Sequence, residues 1–184
     1  MKRTILVMAV VLAGCAGPGE RDVQVRTFDF GLEAPAARLG AVRAGLVRAS
    51  APYDAPDMYY RLAYRDPAEL LAFSQSRWAA PPATLLQRRL ARASPGGGAA
   101  CTVDVELSEL SQVFASREES DIVLEGRASL ASASGRAGER IFLVREPGAG
   151  GSASGGARAV SRAADRLIGE IAAWASQAPA CRAP

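Results

Sequence analysis

The chain has 184 residues, with 22 Lys or Arg against 19 Asp or Glu, three cysteines and no histidine. Its single lysine is Lys2. The missing residue types exclude Ser-His-Asp and Cys-His nucleophile systems and histidine-bearing zinc sites, and after loss of Lys2 they exclude a Schiff-base lysine. We therefore expect no enzyme activity, metal or cofactor. Near-balanced charge and few aromatic residues also disfavour a nucleic-acid partner.

The first fifteen residues have the pattern of a bacterial lipoprotein signal. A basic start precedes an apolar run over 5–12, and the sequence LAGC at 12–15 matches the lipobox. The run is too short to cross a bilayer, which takes about 20 residues, but it suits a cleaved signal. We predict that residues 1–14 are removed and that acyl chains on Cys15 attach the protein to a membrane. An ordinary secretory signal with a chance cysteine is the alternative.

Removal of this signal leaves 170 of the 184 residues, a size typical of one domain. Of the 22 basic residues, 20 then remain against 19 acidic ones. Residues 15–23 form a short polar tether that spans at most roughly 30 Å. We predict one domain over 24–178, held close to the membrane, and a tail over 179–184.

Strand and helix patterns follow one another in the first half of the domain. Alternation predicts strands at 25–30 and 58–64, whereas 41–49 fits either a strand or a helix. Asp66 followed by Pro67 has the pattern of a helix start, which predicts a helix of about nine residues. Two prolines at 81 and 82 begin a second predicted helix. Its apolar face has Leu85, Leu86 and Leu90, and its solvated face has Arg88, Arg89 and Arg92.

The second half is predicted to contain three strands and a long helix. In segment 101–114 apolar and polar residues first alternate, and the alternation then shifts by one residue, which predicts a bulge near Ser108 or Glu109. Further strands are predicted at 122–130 and 140–144. The residues from 147 to 156 read as a flexible loop. An amphipathic helix follows over 157–177 and is ended by Pro179.

Two cysteines remain beyond the predicted anchor. In an oxidising compartment, Cys101 and Cys181 are first considered as a candidate disulfide. Their spacing in the sequence does not tell whether the two Cα atoms come within roughly 7 Å, so the pairing stays open.

A hydrolase would have to use carboxylates, because no other catalytic group is available. A carboxylate pair can hydrolyse glycosides. The candidates are Asp104, Glu106, Glu118 and Glu119. Asp104 and Glu106 alternate with valines on one predicted strand, which indicates a solvated sheet edge rather than a catalytic site.

Four segments together resemble a known family. They are TFDFG at 27–31, YYRLAYRD at 59–66, SRWAAPPATLLQRRL at 76–90 and ELSELSQVF at 106–114. In order and spacing they resemble the PqiC-like ABC-type transport auxiliary lipoproteins over nearly the whole mature domain. The resemblance implies an α/β fold with a mixed twisted β-sheet flanked by helices, similar to the amino-terminal domain of TolB.

The resemblance also implies a role in transport without a transport reaction. The expected partner is the MCE-type substrate-binding subunit of an ABC transporter that moves lipids or other hydrophobic molecules between the two membranes. Some members of the family form rings, so a homo-oligomer is a further expectation. Ala16, rather than Asp, after Cys15 favours the outer membrane, facing the periplasm, over the inner membrane. The alternative is a TolB-like cell-envelope binding protein with no transporter.

Arg77 and Trp78 are the candidate partner contact. An Arg beside a Trp near helix ends is a common interface anchor. Alternatively, Trp78 fills the interface between sheet and helices while Arg77 caps a helix end.

Overall fold

The computed structural model of this chain describes residues 24–148 and 150–182. The predicted signal, Cys15 and the tether up to residue 23 lie outside the described residues. Within them the chain forms seven strands, two α-helices and one turn of 3-10 helix. In chain order these elements are β1 (Arg26–Phe28), β2 (Val42–Ala49), β3 (Asp57–Leu62), β4 (Leu71–Trp78), α1 (Pro82–Ala93), β5 (Cys101–Phe114), β6 (Ser120–Ser132), β7 (Gly135–Pro147), α2 (Ala153–Gln177) and the 3-10 turn Pro179–Cys181.

All seven strands belong to one open mixed sheet. Its order is β1-β4-β3-β5-β6-β7, and β2 pairs with β5 beside this path. The strand pairs β1–β4, β3–β5 and β2–β5 are parallel, whereas β3–β4, β5–β6 and β6–β7 are antiparallel. β2 and β3 lie end to end along β5, because β2 pairs with its first half and β3 with its second. The predicted mixed α/β fold is confirmed, while the likeness to TolB stays a prediction.

One face of the sheet is covered by both helices and the other is open. Alternation puts Val103 and Leu130 into the core, where both are 0% exposed, and α2 packs Leu167 against this face. On the open face Ile141 and Leu143 are 66% and 52% exposed. The predicted bulge is confirmed, since the β5–β6 register shifts between Leu107 and Glu109. No helix of the described ranges has the length and apolarity needed to span a bilayer.

The helix predicted to begin at Pro67 is wrong. The Asp66 carboxylate accepts a hydrogen bond from the Ala68 amide at 2.9 Å, so it closes a local turn instead of capping a helix. The chain then returns as β4, antiparallel to β3. Leu71 and Phe73 alternate with exposed residues, the pattern of a half-buried strand.

The predicted boundary between the loop over 147–156 and the last helix is also wrong, because α2 already begins at Ala153. Ser152 caps it by accepting a hydrogen bond from the Gly155 amide at 3.2 Å. A Cβ atom on Gly156 would lie 2.3 Å from the Gln112 side-chain oxygen. Any larger residue would displace the buried Gln112 side chain, so glycine here permits close packing of the first helical turn on β5.

Candidate interaction surface

The two candidate contact residues lie on opposite faces of β4. Trp78 is 4% exposed, and its ring stacks edge-on against Phe30 with centroids 5.5 Å apart. Trp78 thus fills the core, as the alternative interpretation expects. Arg77 is exposed and lies opposite Thr27 of β1 and Asp57 of β3. The helix-capping role considered for Arg77 is wrong because this segment is a strand.

Beside Trp78, a groove of about 390 Å³ separates β1 from the first turns of α2. Arg26 and Asp29 line one wall, and Arg158 with Ser161 lines the other. The Arg26 guanidinium lies 5.0 Å from the centroid of the Phe28 ring. The lining thus combines two arginines and an aspartate with the hydroxyl groups of Thr27, Ser154 and Ser161.

β1 is the first strand in chain order, begins at Arg26 and forms one wall of the groove. We call the set of Arg26, Thr27, Arg77 and Arg158 the anchor-proximal edge. Its three arginines are exposed. Since the predicted lipid anchor precedes β1 by about ten residues, the strand residues of this set lie in the part of the sheet closest to the predicted anchor along the chain. Arg158 of α2 faces Arg26 across the groove.

A buried ion pair holds the segment that follows β1. The Arg89 Nε and Nη2 atoms donate to the two carboxylate oxygens of Asp165 at 2.6 and 2.8 Å. Arg89 Nη1 also donates to the Phe30 carbonyl at 2.9 Å, and Ser161 Oγ donates to the same oxygen at 2.7 Å. Both helices therefore bind one loop carbonyl at the groove.

The prediction that Arg89 lies on a solvated face is wrong, because this residue is only 2% exposed. Position 89 faces α2, where Asp165 provides the opposite charge. Arg88 is exposed as predicted. Arg92 is exposed too, and its guanidinium donates to the Gly31 and Leu32 carbonyls at 3.2 and 3.3 Å.

The four candidate carboxylates do not come together. Asp104 lies near the start of β5, whereas Glu118 and Glu119 follow its end. The prediction that Asp104 and Glu106 lie on a sheet edge is wrong, because β5 is paired on both sides. Both residues are exposed on the open face of this interior strand. The described residues contain no group of three metal-ligating side chains of the His, Cys, Asp or Glu type.

The Asp104 side chain stabilises a bulge in β2. The Asp104 carboxylate accepts a hydrogen bond from the Leu46 amide at 2.7 Å. On the other face of the sheet, the Gln87 side chain of α1 accepts a hydrogen bond from the Val47 amide and donates one to the Gly45 carbonyl, both at 2.7 Å. A Cβ atom on Gly45 would lie 2.1 Å from Asp104 Oδ1. These contacts satisfy the backbone groups that the register shift of β2 leaves unpaired.

The bulge in β5 turns Glu109 toward Arg61 of β3. Arg61 Nη2 and Nε donate to the Glu109 oxygens at 3.0 and 3.4 Å. Burial acts to raise the pKa of Glu109, but the hydrogen bonds and charge of Arg61 outweigh it, so this pKa lies below its ordinary value of 4.5. Burial and the adjacent Glu109 carboxylate raise the pKa of Tyr53.

Glu109→Gln is expected to destabilise the protein at neutral pH by about 1 kcal/mol, because a charged hydrogen-bonded pair is lost. The lowered pKa of Glu109 means that its contribution is present above pH 4.5 and is lost as the pH falls through the folded-state pKa. Denaturant unfolding of both proteins from pH 7 downward should thus show a shrinking difference. Exposed Glu118→Gln is the control; a constant difference would contradict the assignment.

The structure joins Cys101 and Cys181 in a disulfide, with Cα atoms 5.1 Å apart. The 3-10 turn after α2 brings Cys181 back to the start of β5. The bond is buried, since both residues are at most 3% exposed. The segment that follows α2 is thereby fixed to β5.

Two solved structures have a similar fold. Protein XCC0632 from Xanthomonas campestris, assigned to family DUF330, matches with a TM-score of 0.63 and 18% identity, over 82% of this chain and 91% of that one. An uncharacterized protein matches with a TM-score of 0.62 and 11% identity, over 82% and 99% of the two chains. A search of curated proteins found no match.

An open mixed sheet of seven strands, covered on one face by two helices, defines the described part of the chain as a mixed α/β protein. The family model for the ABC-type transport auxiliary lipoprotein component matches residues 32–172. The chain belongs to this family, as its sequence patterns predicted.

Proposed function

We propose that this protein is a non-enzymatic, membrane-anchored accessory lipoprotein of an MCE-type ABC transport system for lipids or other hydrophobic molecules. It docks the periplasmic transport assembly at the membrane. The observation that carries this proposal is the family match over 32–172 in a chain that begins with a lipobox ending at Cys15.

The arrangement of the domain supports a docking role better than a catalytic role. The candidate carboxylates lie apart, and Asp104 serves the backbone of β2. The anchor-proximal edge presents three exposed arginines, of which Arg77 continues the surface on the open face. Arginine at an interface makes several directed hydrogen bonds and is enriched among energetically dominant contacts. Arg77 is therefore our candidate contact for the MCE-type subunit.

The test is co-purification of the full acylated chain with the MCE-type subunit expressed from the same genome. Arg77→Glu should reduce recovery of that subunit about tenfold or more, because it replaces an interface cation by an anion. Arg88→Glu changes another exposed arginine, on α1, and is the matched control. Equal recovery with both variants would remove Arg77 from the interface. Absence of the subunit from wild-type preparations would reject the proposed function.

Cys15→Ser is expected to move the protein from the membrane fraction to the soluble fraction, because the acyl chains provide the anchoring energy. Fractionation of cells and immunoblotting measure the distribution. Separation of inner from outer membranes then tests the proposed outer-membrane location, which relies on Ala16. A Cys15→Ser protein that stays in salt-washed membranes would show that another part of the chain binds there.

A further inference from the structure

The groove between β1 and α2 has two arginines at one end. Arg26 and Phe28 are two residues apart on β1, so both side chains lie on the face toward α2, and Arg158 lines the groove from that helix. The Arg26 guanidinium is held over the Phe28 ring by a cation–π contact. Neither arginine forms an ion pair with any residue that the structure describes. This end of the groove therefore offers two cationic groups to an anion.

The other end of the groove consists of hydrogen-bond acceptors. Asp29 Oδ1 accepts a hydrogen bond from the Gly31 amide at 2.8 Å, and a carboxylate has lone pairs for further bonds. Ser161 Oγ donates its only proton to the Phe30 carbonyl at 2.7 Å, so it can only accept from a ligand. A Cβ atom on Gly31 would lie 3.9 Å from Ser161 Oγ. Asp29 and Ser161 thus lie beside the same residue, where they suit a cation with N–H donors.

The spacing of the two ends indicates a ligand with both charges. Arg26 precedes Asp29 by three residues on one wall, and Arg158 precedes Ser161 by three residues on the other. Three residues extend about 4.5 Å along a helix and about 10 Å along a strand. The groove volume of about 390 Å³ is within the usual range of small-molecule sites. A matching ligand has an anion and, a few ångström away, a cation.

We propose that this groove binds the phosphoethanolamine headgroup of a membrane phospholipid. The phosphodiester lies between the guanidinium groups of Arg26 and Arg158, which bind phosphate oxygens through directed hydrogen bonds. The primary ammonium group donates to Asp29 and Ser161. Choline fits less well, because a quaternary ammonium has no N–H donor and the Phe28 ring is already covered by Arg26.

The source of this headgroup is the bilayer. This inference rests on the proposed membrane anchoring, because the predicted anchor precedes β1 by about ten residues and keeps the groove near lipid. Such tethering raises the effective concentration of the lipid at the groove above that of a soluble phosphodiester. A headgroup with an uncharged glycerol in place of ethanolamine would leave the Asp29 carboxylate beside an anion without a cation between them.

Intact-protein mass spectrometry of the full acylated chain in detergent measures which lipid stays bound. The protein is mixed with equal amounts of short-chain phosphatidylethanolamine, phosphatidylcholine and phosphatidylglycerol, and wild type should retain the first several-fold more than the others. Arg26→Gln and Arg158→Gln should each lower this retention about tenfold, because a charged hydrogen bond to phosphate is lost. Arg88→Gln, at an exposed arginine of α1 outside the groove, is the matched control and should change nothing.

Asp29→Asn tests the acceptor end separately. Asparagine keeps an oxygen for the Gly31 amide but loses the charge, so this variant should retain phosphatidylethanolamine and phosphatidylglycerol about equally. Glycerophosphoethanolamine and inorganic phosphate, which have no acyl chains, should displace the bound lipid only at many-fold higher concentration. Displacement at equal concentration would overturn the bilayer as the source.

Equal retention of the three lipids by wild type, or unchanged retention in both arginine variants, would overturn the headgroup site. The proposed transport function is judged separately, by recovery of the MCE-type subunit. Recovery of that subunit without retained lipid rejects the headgroup site alone. Retained phosphatidylethanolamine without the subunit supports the headgroup site and rejects the transport role alone.

Discussion

Replacement of Arg89 by Ala is expected to lower the free energy of unfolding by about 3 kcal/mol, the lower end of the cost of removing one partner from a buried ion pair, because the Asp165 side chain is 17% exposed. Arg89 is 2% exposed and makes three hydrogen bonds, two to Asp165 and one to the Phe30 carbonyl. The variant leaves the Asp165 carboxylate without its counter-charge between the two helices. Denaturant unfolding followed by circular dichroism measures the loss.

Arg88→Ala is the matched control, because the neighbouring residue of the same helix is exposed. Its stability should stay within about 0.5 kcal/mol of wild type. Asp165→Ala should cost about as much as Arg89→Ala, and the double variant should cost clearly less than the sum. Strictly additive losses would show that the two side chains contribute independently.

Replacement of both Cys101 and Cys181 by Ser is expected to cost about 2–4 kcal/mol. The bond joins residues separated by 80 positions, so it greatly restricts the unfolded chain. The loop-entropy model gives an upper value of about 4.5 kcal/mol for a loop of this length. Unfolding in denaturant of wild type and of the double variant measures the difference.

A reducing agent provides an internal control for this prediction. It should lower the stability of the wild-type protein toward that of the double Ser variant and leave the variant unchanged. Titration of free thiols in denaturant, without reductant, should find none from Cys101 and Cys181 in the wild type. Two reactive thiols, or equal stability of the two proteins, would show that the bond contributes nothing in solution.

The sheet was predictable where alternation is long and uninterrupted. Segments 101–114 and 122–130 follow period two over many residues, and even the bulge near Ser108 shows as a slip of phase. β4 escaped prediction because the sequence from Asp66 to Glu69 satisfies the local rules for a helix start. Those rules compare a residue only with its near neighbours, whereas the pairing of β4 with β3 and β1 decided the outcome.

The buried Arg89 had a partial signal in the sequence. It lies four residues after Leu85 and three after Leu86, which puts it on the apolar face of α1. Because arginine is charged, we predicted that position 89 is exposed to solvent. Its burial is stabilised by Asp165 of α2, which provides the opposite charge. For Trp78 the difference is the opposite one. Tryptophan is common at interfaces and was a candidate partner contact, but this side chain is buried in the core. Partners that lie far apart in the sequence cannot be read from one chain.

The strands β1 and β7 lie at the two opposite margins of the sheet. The anchor-proximal edge lies at β1, and β7 ends the sheet on the other side, five strand intervals or about 24 Å away. A partner bound at the anchor-proximal edge would therefore leave the far margin of the sheet uncovered. Because this width exceeds the reach of any single side chain, one domain has room for two different neighbours at its two margins.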